Sequence, residues 1–249
     1  MAARVLAPER MDDPSLEPSE HRRALRALAT VNRLSLAAGR VWREVVELER
    51  EGVTPVRVLD VACGGGDVLV GVERARRRAG IDVVLHGCDL SDVALEDARL
   101  RATGAPSLGF FRLDALRDEL PAGYHLVCSS LFLHHLERDD AVRLLERMAD
   151  ATTHKVLIQD LRRTRLGEAL ARTTLRVVTT SSVARSDGPK SVRAAFTIAE
   201  AAELCRDAGL VDADVRRCWP QRFTIRWRRP GLGVGATRAG SAGDAVVPP

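Results

Sequence analysis

Lysine is almost missing from this chain. Only Lys155 and Lys190 stand among 38 basic side chains, so the formal charge of +4 is carried by arginine. The arginines are dispersed and interleaved with Asp and Glu, as on solvated helix faces. The denser groups, Arg76 to Arg78 and Arg162, Arg163 and Arg165, have no aromatic residues between them. A basic surface of this kind argues against a nucleic-acid partner. No run approaches the roughly 18 apolar residues of a membrane span. The opening MAARVLAPERMDDPSLEPSE has no apolar core and carries early acids, so no secretory signal is expected and the chain is expected in the cytoplasm. Paired cysteine spacing is missing too: Cys63, Cys88, Cys128, Cys205 and Cys218 are scattered, odd in number and without C-x-x-C. They are expected as reduced thiols, and no metal site is expected. The chain shows no internal repeat.

What remains is ordinary globular composition, 45% hydrophobic and 29% charged, in a length that suits one sizeable α/β domain with a small appendage. Residues 1–20, with Pro8, Pro14 and Pro18, read as an extended arm. From Glu20 the apolar positions Leu25, Leu28, Val31, Leu34, Val41 and Val45 predict one or two amphipathic helices ending at Gly52. His21, Arg22 and Trp42 sit on this helical cap, which could cover a pocket or serve structure alone. Alternation follows: strands at 56–62, 83–90, 109–113, 125–133 and 155–161, with helices at 67–78, 91–101 and 137–152. Such a rhythm predicts a parallel, doubly wound sheet.

Residues 162–196 break the rhythm with a helix over 166–177 and then the polar stretch TTSSVARSDGPKSVRAAF, read as a substrate-covering insertion or a loose connector. Thr197 with Glu200 forms a capping box for a further helix, and VDADVRRCW and RFTIRWR read as two last strands. Three segments are therefore expected: an arm and helical cap (1–52), a main domain (53–230) and a disordered Gly/Ala/Pro tail (231–249).

The chemistry concentrates in VLDVACGGGD, residues 58–67. A buried strand ends near Asp60 and enters the turn Gly64-Gly65-Gly66, which opens a helix. Glycine there lets a ligand approach the backbone, and the helix start offers free N–H groups. Asp89 ends the next strand, at about the 20-residue spacing used to bond ribose hydroxyls, and Asp114 follows the third strand. A G-x-G-x-x-G dinucleotide fingerprint would need glycine where Leu69 stands. Asp60 beside the turn would repel a pyrophosphate. A nucleoside carrying an ammonium and a sulfonium would be attracted.

VLDVACGGGD, HGCDLS and RLDAL, in this order and spacing, resemble the successive motifs of class I S-adenosylmethionine-dependent methyltransferases. The resemblance covers about residues 55–160. It implies a Rossmann-like doubly wound sheet of seven strands, mostly parallel with an antiparallel last strand, under a helical N-terminal cap, with S-adenosylmethionine as cofactor. Asp60, Gly64, Gly65 and Gly66 would line its methionine end and Asp89 its ribose. Leu90 would pack on the adenine, Asp114 and Ala115 would read its edge, with Leu116 beside them, and Ser129 and Ser130, late in the fourth strand, would also border the cofactor. Ala62 departs from the family's usual glycine.

FLHHLERDDAVRLL is similar to the segment of small-molecule O-methyltransferases in which a histidine heading the helix acts as base. This puts His134 in the catalytic place, with His135 beside it; the alternative is that one binds a carbonyl and the other lines the pocket. SDGPKSVRAAFTIAE resembles the acceptor-side segment of bacterial polyketide- and quinone-pathway methyltransferases, which would bring Asp187, Arg193 and Phe196 to the acceptor. The alternative is a plain turn at Asp187-Gly188-Pro189. The reading is O-methylation of a small phenolic or polyketide-type acceptor. C-methylation of a quinone-like ring, a silent S-adenosylmethionine-binding partner and a nicotinamide oxidoreductase stay open. A nucleic-acid methyltransferase is disfavoured, as is amino methylation, because no N-P-P-Y type tetrapeptide follows the fourth strand.

Overall fold

Largely apolar segments rich in β-branched residues make the central strands of this computed structural model, which describes residues 3–13 and 15–231. The strands are β1 (Val56–Val61), β2 (Val83–Asp89), β3 (Leu108–Arg112), β4 (Tyr124–Ser130), β5 (Thr152–Leu161), β6 (Asp214–Cys218) and β7 (Arg222–Arg228). They form one seven-stranded sheet in the order β3-β2-β1-β4-β5-β7-β6. β1 to β5 run parallel, whereas β7 lies antiparallel between β5 and β6. The expected sheet, with its antiparallel last strand, is therefore present.

Helices cover both faces, as central parallel strands require. The helices α1 (Pro18–Leu34), α2 (Ala37–Arg50), α3 (Asp67–Ala79) and α4 (Asp92–Arg101) lie before β3 in sequence. α5 (Arg138–Ala151), α6 (Arg165–Val178), α7 (Ser182–Ala194) and α8 (Ile198–Asp207) follow β4. Val41, Val45 and Leu48 of α2 join Val68, Leu69 and Val72 of α3 on one face of the sheet. Leu144, Leu145 and Met148 of α5 and Leu204 of α8 fill the other. Trp42 packs against the first of these cores, and Arg22 pairs with Glu96 of α4 at 2.5 Å. All five cysteines are free, and four are buried. Among the described residues no helix is long and apolar enough to cross a membrane. The tail expected to be disordered lies, from residue 232, outside the described residues.

The polar stretch after α6 is not a loose connector. It forms α7, which runs through Asp187, Gly188 and Pro189. Ser181 caps it by accepting from the Ala184 amide, and Val183, Ala184, Val192 and Ala194 are buried. Gly188 explains how α6 and α7 come so close: a Cβ there would lie 2.1 Å from Cδ1 of Leu175. Tertiary burial outweighs the turn preference of Asp-Gly-Pro. Thr197 and Glu200 complete the capping box of α8 as expected.

Because the strand order reverses between β1 and β4, their carboxyl ends open a crevice, the usual ligand position in doubly wound sheets. Register brings these ends level: Val61 lies beside Cys88 and Ser129, and Asp89 beside Arg112.

Candidate active site

The crevice is a cavity of about 1120 Å³. Its floor is the glycine turn, where Gly64 and Gly66 take φ of +52° and +69°. A Cβ on Gly66 would lie 2.8 Å from the Phe110 ring, so the turn closes only on glycine. α1 roofs the cavity with His21, Leu25, Leu28 and Asn32, so the helical cap does cover it. Of the residues expected to hold a cofactor, Ala62, Gly64, Gly65, Asp89, Leu90, Asp114, Ala115, Leu116 and Ser130 line this space together, and His135 stands at its edge.

Asp60, Gly66, Ser129 and the expected base His134 do not line it. Asp60 is 1% exposed and lies under the floor, accepting weakly from the Cys128 thiol. Burial pushes its carboxyl up to about 8, with the charges of Asp67 and Asp89 adding to the effect. Near pH 7 Asp60 is therefore largely protonated and contributes little field to the crevice. Ser129 is buried, and its hydroxyl donates to the Val61 carbonyl at 2.8 Å, fixing β4 to β1.

The negative field has other sources. Asp12, Asp13, Asp67, Asp89, Asp92, Asp114 and Asp118 all line the cavity, against Arg112 and Arg117. Both arginines are exposed and lie beside lining acids, Arg112 at 3.6 Å from Asp92 and Arg117 at 3.7 Å from Asp114. Asp67, unnoticed in the sequence, opens α3. Burial raises its carboxyl, against stabilisation from Asn32 and Arg101. Burial likewise raises Asp89, against the amides of Ser91 (2.9 Å) and Gly64 (2.8 Å) that it accepts. Desolvated carboxylates gain from a cationic ligand and lose from an anionic one. Leu90 is 52% exposed, an apolar face suited to an aromatic ring.

The histidines lie on the turn Leu133–His135 after β4. Nδ1 of His134 is 2.6 Å from Oδ1 of Asp160, whose other oxygen accepts the His134 amide at 2.9 Å. Desolvation opposes the charge on Asp160, but His134 and these hydrogen bonds prevail and keep its carboxyl below the ordinary range. An ionised carboxylate only accepts, so Nδ1 of His134 donates, and in the neutral ring this leaves the lone pair on Nε2. Asp160, at the end of β5, was not singled out from the sequence, because it becomes a histidine partner only through the register of β4 and β5.

His134 lines a second cavity of about 330 Å³, together with His135, Glu137, Ala194 and arm residues Leu6 to Glu9 and Asp12. Nε2 of His134 lies 3.8 Å from Oε1 of Glu9. His135 bonds Asp12 through Nδ1 at 3.0 Å. Desolvation lowers its affinity for a proton, but Asp12, Glu9 and Asp160 outweigh this and push it up to about 9.

Asp187, Arg193 and Phe196 reach neither cavity. Asp187 accepts the Met11 amide at 3.0 Å and holds the arm against α7. Arg193 points toward Glu168 at 3.7 Å. Phe196 belongs to the core and stacks under the Arg4 guanidinium at 3.9 Å. The segment thus holds the arm in place, because the faces of α7 and Phe196 that could have met an acceptor are covered by the arm and the core.

Comparison with known proteins bears on this geometry. The family described as Methyltransferase domain matches residues 58–155, from β1 into β5. Residues 58–155 are similar to a methyltransferase domain over about two fifths of the chain. They hold the glycine turn, Asp89, Asp114 and both histidines, and the cofactor of the family is S-adenosylmethionine. No curated protein matches the chain in sequence.

Solved structures share the fold at low identity. NcsB1, an O-methyltransferase from neocarzinostatin biosynthesis in complex with S-adenosyl-L-homocysteine and 1,4-dihydroxy-2-naphthoic acid, is 19% identical with a TM-score of 0.63; the match covers 89% of this chain and 61% of that one. The S-adenosylmethionine-dependent methyltransferase SibL in its apo form is 21% identical with a TM-score of 0.61, covering 88% of this chain and 60% of that one. A SAM-dependent methyltransferase from Aquifex aeolicus is 16% identical with a TM-score of 0.58, covering 86% of this chain and 99% of that one. The chain thus spans about three fifths of the length of the first two. At these identities the likeness establishes the fold. The acid-lined crevice, its glycine floor and the open face of Leu90 fit the domain's cationic cofactor.

Proposed function

We propose that the chain transfers a methyl group from S-adenosylmethionine to the hydroxyl of a small phenolic or polyketide-type acceptor. The observation that carries this reading is the buried His134–Asp160 pair, whose Nδ1–Oδ1 separation is 2.6 Å. Asp89 would hold the ribose, Leu90 and Ala115 the adenine, and the turn at Gly64 and Gly65 the methionine end, with Asp67 near its ammonium. The bound cofactor supplies an electrophilic methyl on a sulfonium.

The chain's part is binding, alignment and proton removal. Asp160 fixes the tautomer and orientation of His134, leaving Nε2 free to accept the acceptor's hydroxyl proton, and its negative charge stabilises the imidazolium that forms. His134 lines the second cavity and His135 and Asp12 border both, so an acceptor held against Phe132 and Leu136 in line with the methyl would reach the base past His135, with the N-terminal arm closing that side. NcsB1, of similar fold, is seen with a dihydroxylated naphthoic acid, an acceptor class in keeping with this reading.

Radiolabelled methyl transfer to a panel of phenols and quinones tests it. His134→Ala should lower the turnover number on a phenol by on the order of 10²-fold or more, and Asp160→Asn should lower it as well, with S-adenosylmethionine affinity retained in both. An unchanged turnover number for His134→Ala removes the base and leaves ring C-methylation as the better reading.

A further inference from the structure

A cluster at the border of the cofactor crevice, where Glu9 of the arm meets both histidines, offers chemistry beyond proton removal. We propose that Glu9, His134 and His135 form a binding site for one divalent first-row transition-metal ion. Nε2 of His134 lies 3.8 Å from Oε1 of Glu9, and Nε2 of His135 lies 3.9 Å from Oε2. The three ligand atoms all fall within 4.8 Å of one another. A metal bonded at about 2.0 to 2.2 Å holds neighbouring ligands roughly 3.0 to 3.4 Å apart, so modest side-chain rotation closes the site.

Two imidazoles and a carboxylate are the donor set such ions take. The supports behind the donors are in place as well. A metal-bound histidine usually gives its other ring N–H to a carboxylate, which fixes the tautomer and turns the lone pair to the ion. Here Asp160 holds Nδ1 of His134 at 2.6 Å, and Asp12 holds Nδ1 of His135 at 3.0 Å. Glu9 is steadied by the Ser191 hydroxyl, which donates to Oε1 at 2.5 Å.

Charge favours a cation. Glu9, Asp12 and Asp160 gather about the two imidazoles in a place where His134 is 3% exposed, and a desolvated carboxylate gains from a cation. Arg4, on the same arm, turns its guanidinium to the carbonyls of Ala194, His134 and Leu136. The 330 Å³ cavity adjoining the three donors leaves room for water or an oxygen ligand to complete the coordination. Where His134 serves as base (the part that rests on the methyl-transfer reading), an ion on Nε2 occupies the lone pair that would take the proton, so metal-bound and base-competent states exclude one another.

The test is calorimetric titration of zinc chloride into the untagged, chelator-treated full chain in a non-coordinating buffer, with cobalt chloride followed by visible absorption. One equivalent per chain is expected, with affinity at least tenfold weaker in both Glu9→Gln and His135→Gln and cobalt bands that change with each. Glu9→Asp, which keeps the carboxylate on the arm, should bind more tightly than Glu9→Gln. The absence of saturable binding, or equal zinc affinity in wild type and both glutamine variants, overturns the proposal. No acceptor or cofactor is present in the titration. Its failure therefore leaves the methyl-transfer reading standing, and failure of that reading leaves the zinc affinity unchanged.

Discussion

Ala62 follows β1 at φ +55°, in the left-handed region that costs an L side chain about 1 kcal/mol or more relative to glycine. Ala62→Gly should raise the melting temperature by about 2 to 4 °C, the shift that roughly 1 kcal/mol produces in a domain of this size. A melting temperature lowered to the extent usual for Ala→Gly in an ordinary loop would contradict the strain. Asp60 gives the second residue-scale expectation. Its carboxyl is raised to about 8 in the folded chain from about 4 in the unfolded one. A raised pKa means that the folded state holds the proton longer. Its contribution to stability is complete below pH 4 and is lost progressively as the pH rises to 8. Asp60→Asn stays neutral throughout, so its advantage over wild type should grow across that window to on the order of a few kcal/mol and then level off. Thermal melts at pH 4.5, 6 and 8 measure it, and a pH-independent difference would show that Asp60 is not desolvated.

The elements were legible wherever periodicity and caps agreed. Five parallel strands, the helices after β1, β2 and β4 and the capping box of α8 all lie within a few residues of their expected places. α7 was not legible, because Asp-Gly-Pro carries a turn signal and its helix is stabilised by tertiary packing, against the preceding α6 and against the arm and α1 from the far end of the chain. The arm itself shows why the acceptor-side residues were misplaced. Asp187 looked free to meet a substrate, but it takes the Met11 amide 176 positions away. Asp187→Asn removes the charge from that hydrogen bond. Hydrogen exchange at Met11 should then quicken about tenfold, as loss of about 1.4 kcal/mol implies, with α8 exchange unchanged. Equal exchange at Met11 would mean that the arm is held by its other contacts alone.

For the whole molecule, charge is segregated. The chain carries +4 overall, yet its main cavity gathers seven aspartates. The sequence revealed that preference through Asp89 and Asp114 but credited Asp60 with a field it does not supply. Three further lining acids, Asp12, Asp13 and Asp67, come from an arm and a helix start whose place at the crevice only folding decides. The same holds for Asp160, brought to His134 by sheet register, and for Glu9, which reaches both histidines across the whole domain.

The central claim is that this crevice accepts a cationic sulfur nucleoside and rejects diphosphates. Calorimetric titration of the full chain with S-adenosylmethionine and, separately, with NADH tests it most directly. Saturable one-to-one binding of S-adenosylmethionine with no measurable NADH binding is the predicted result. Binding of NADH without binding of S-adenosylmethionine would contradict the account.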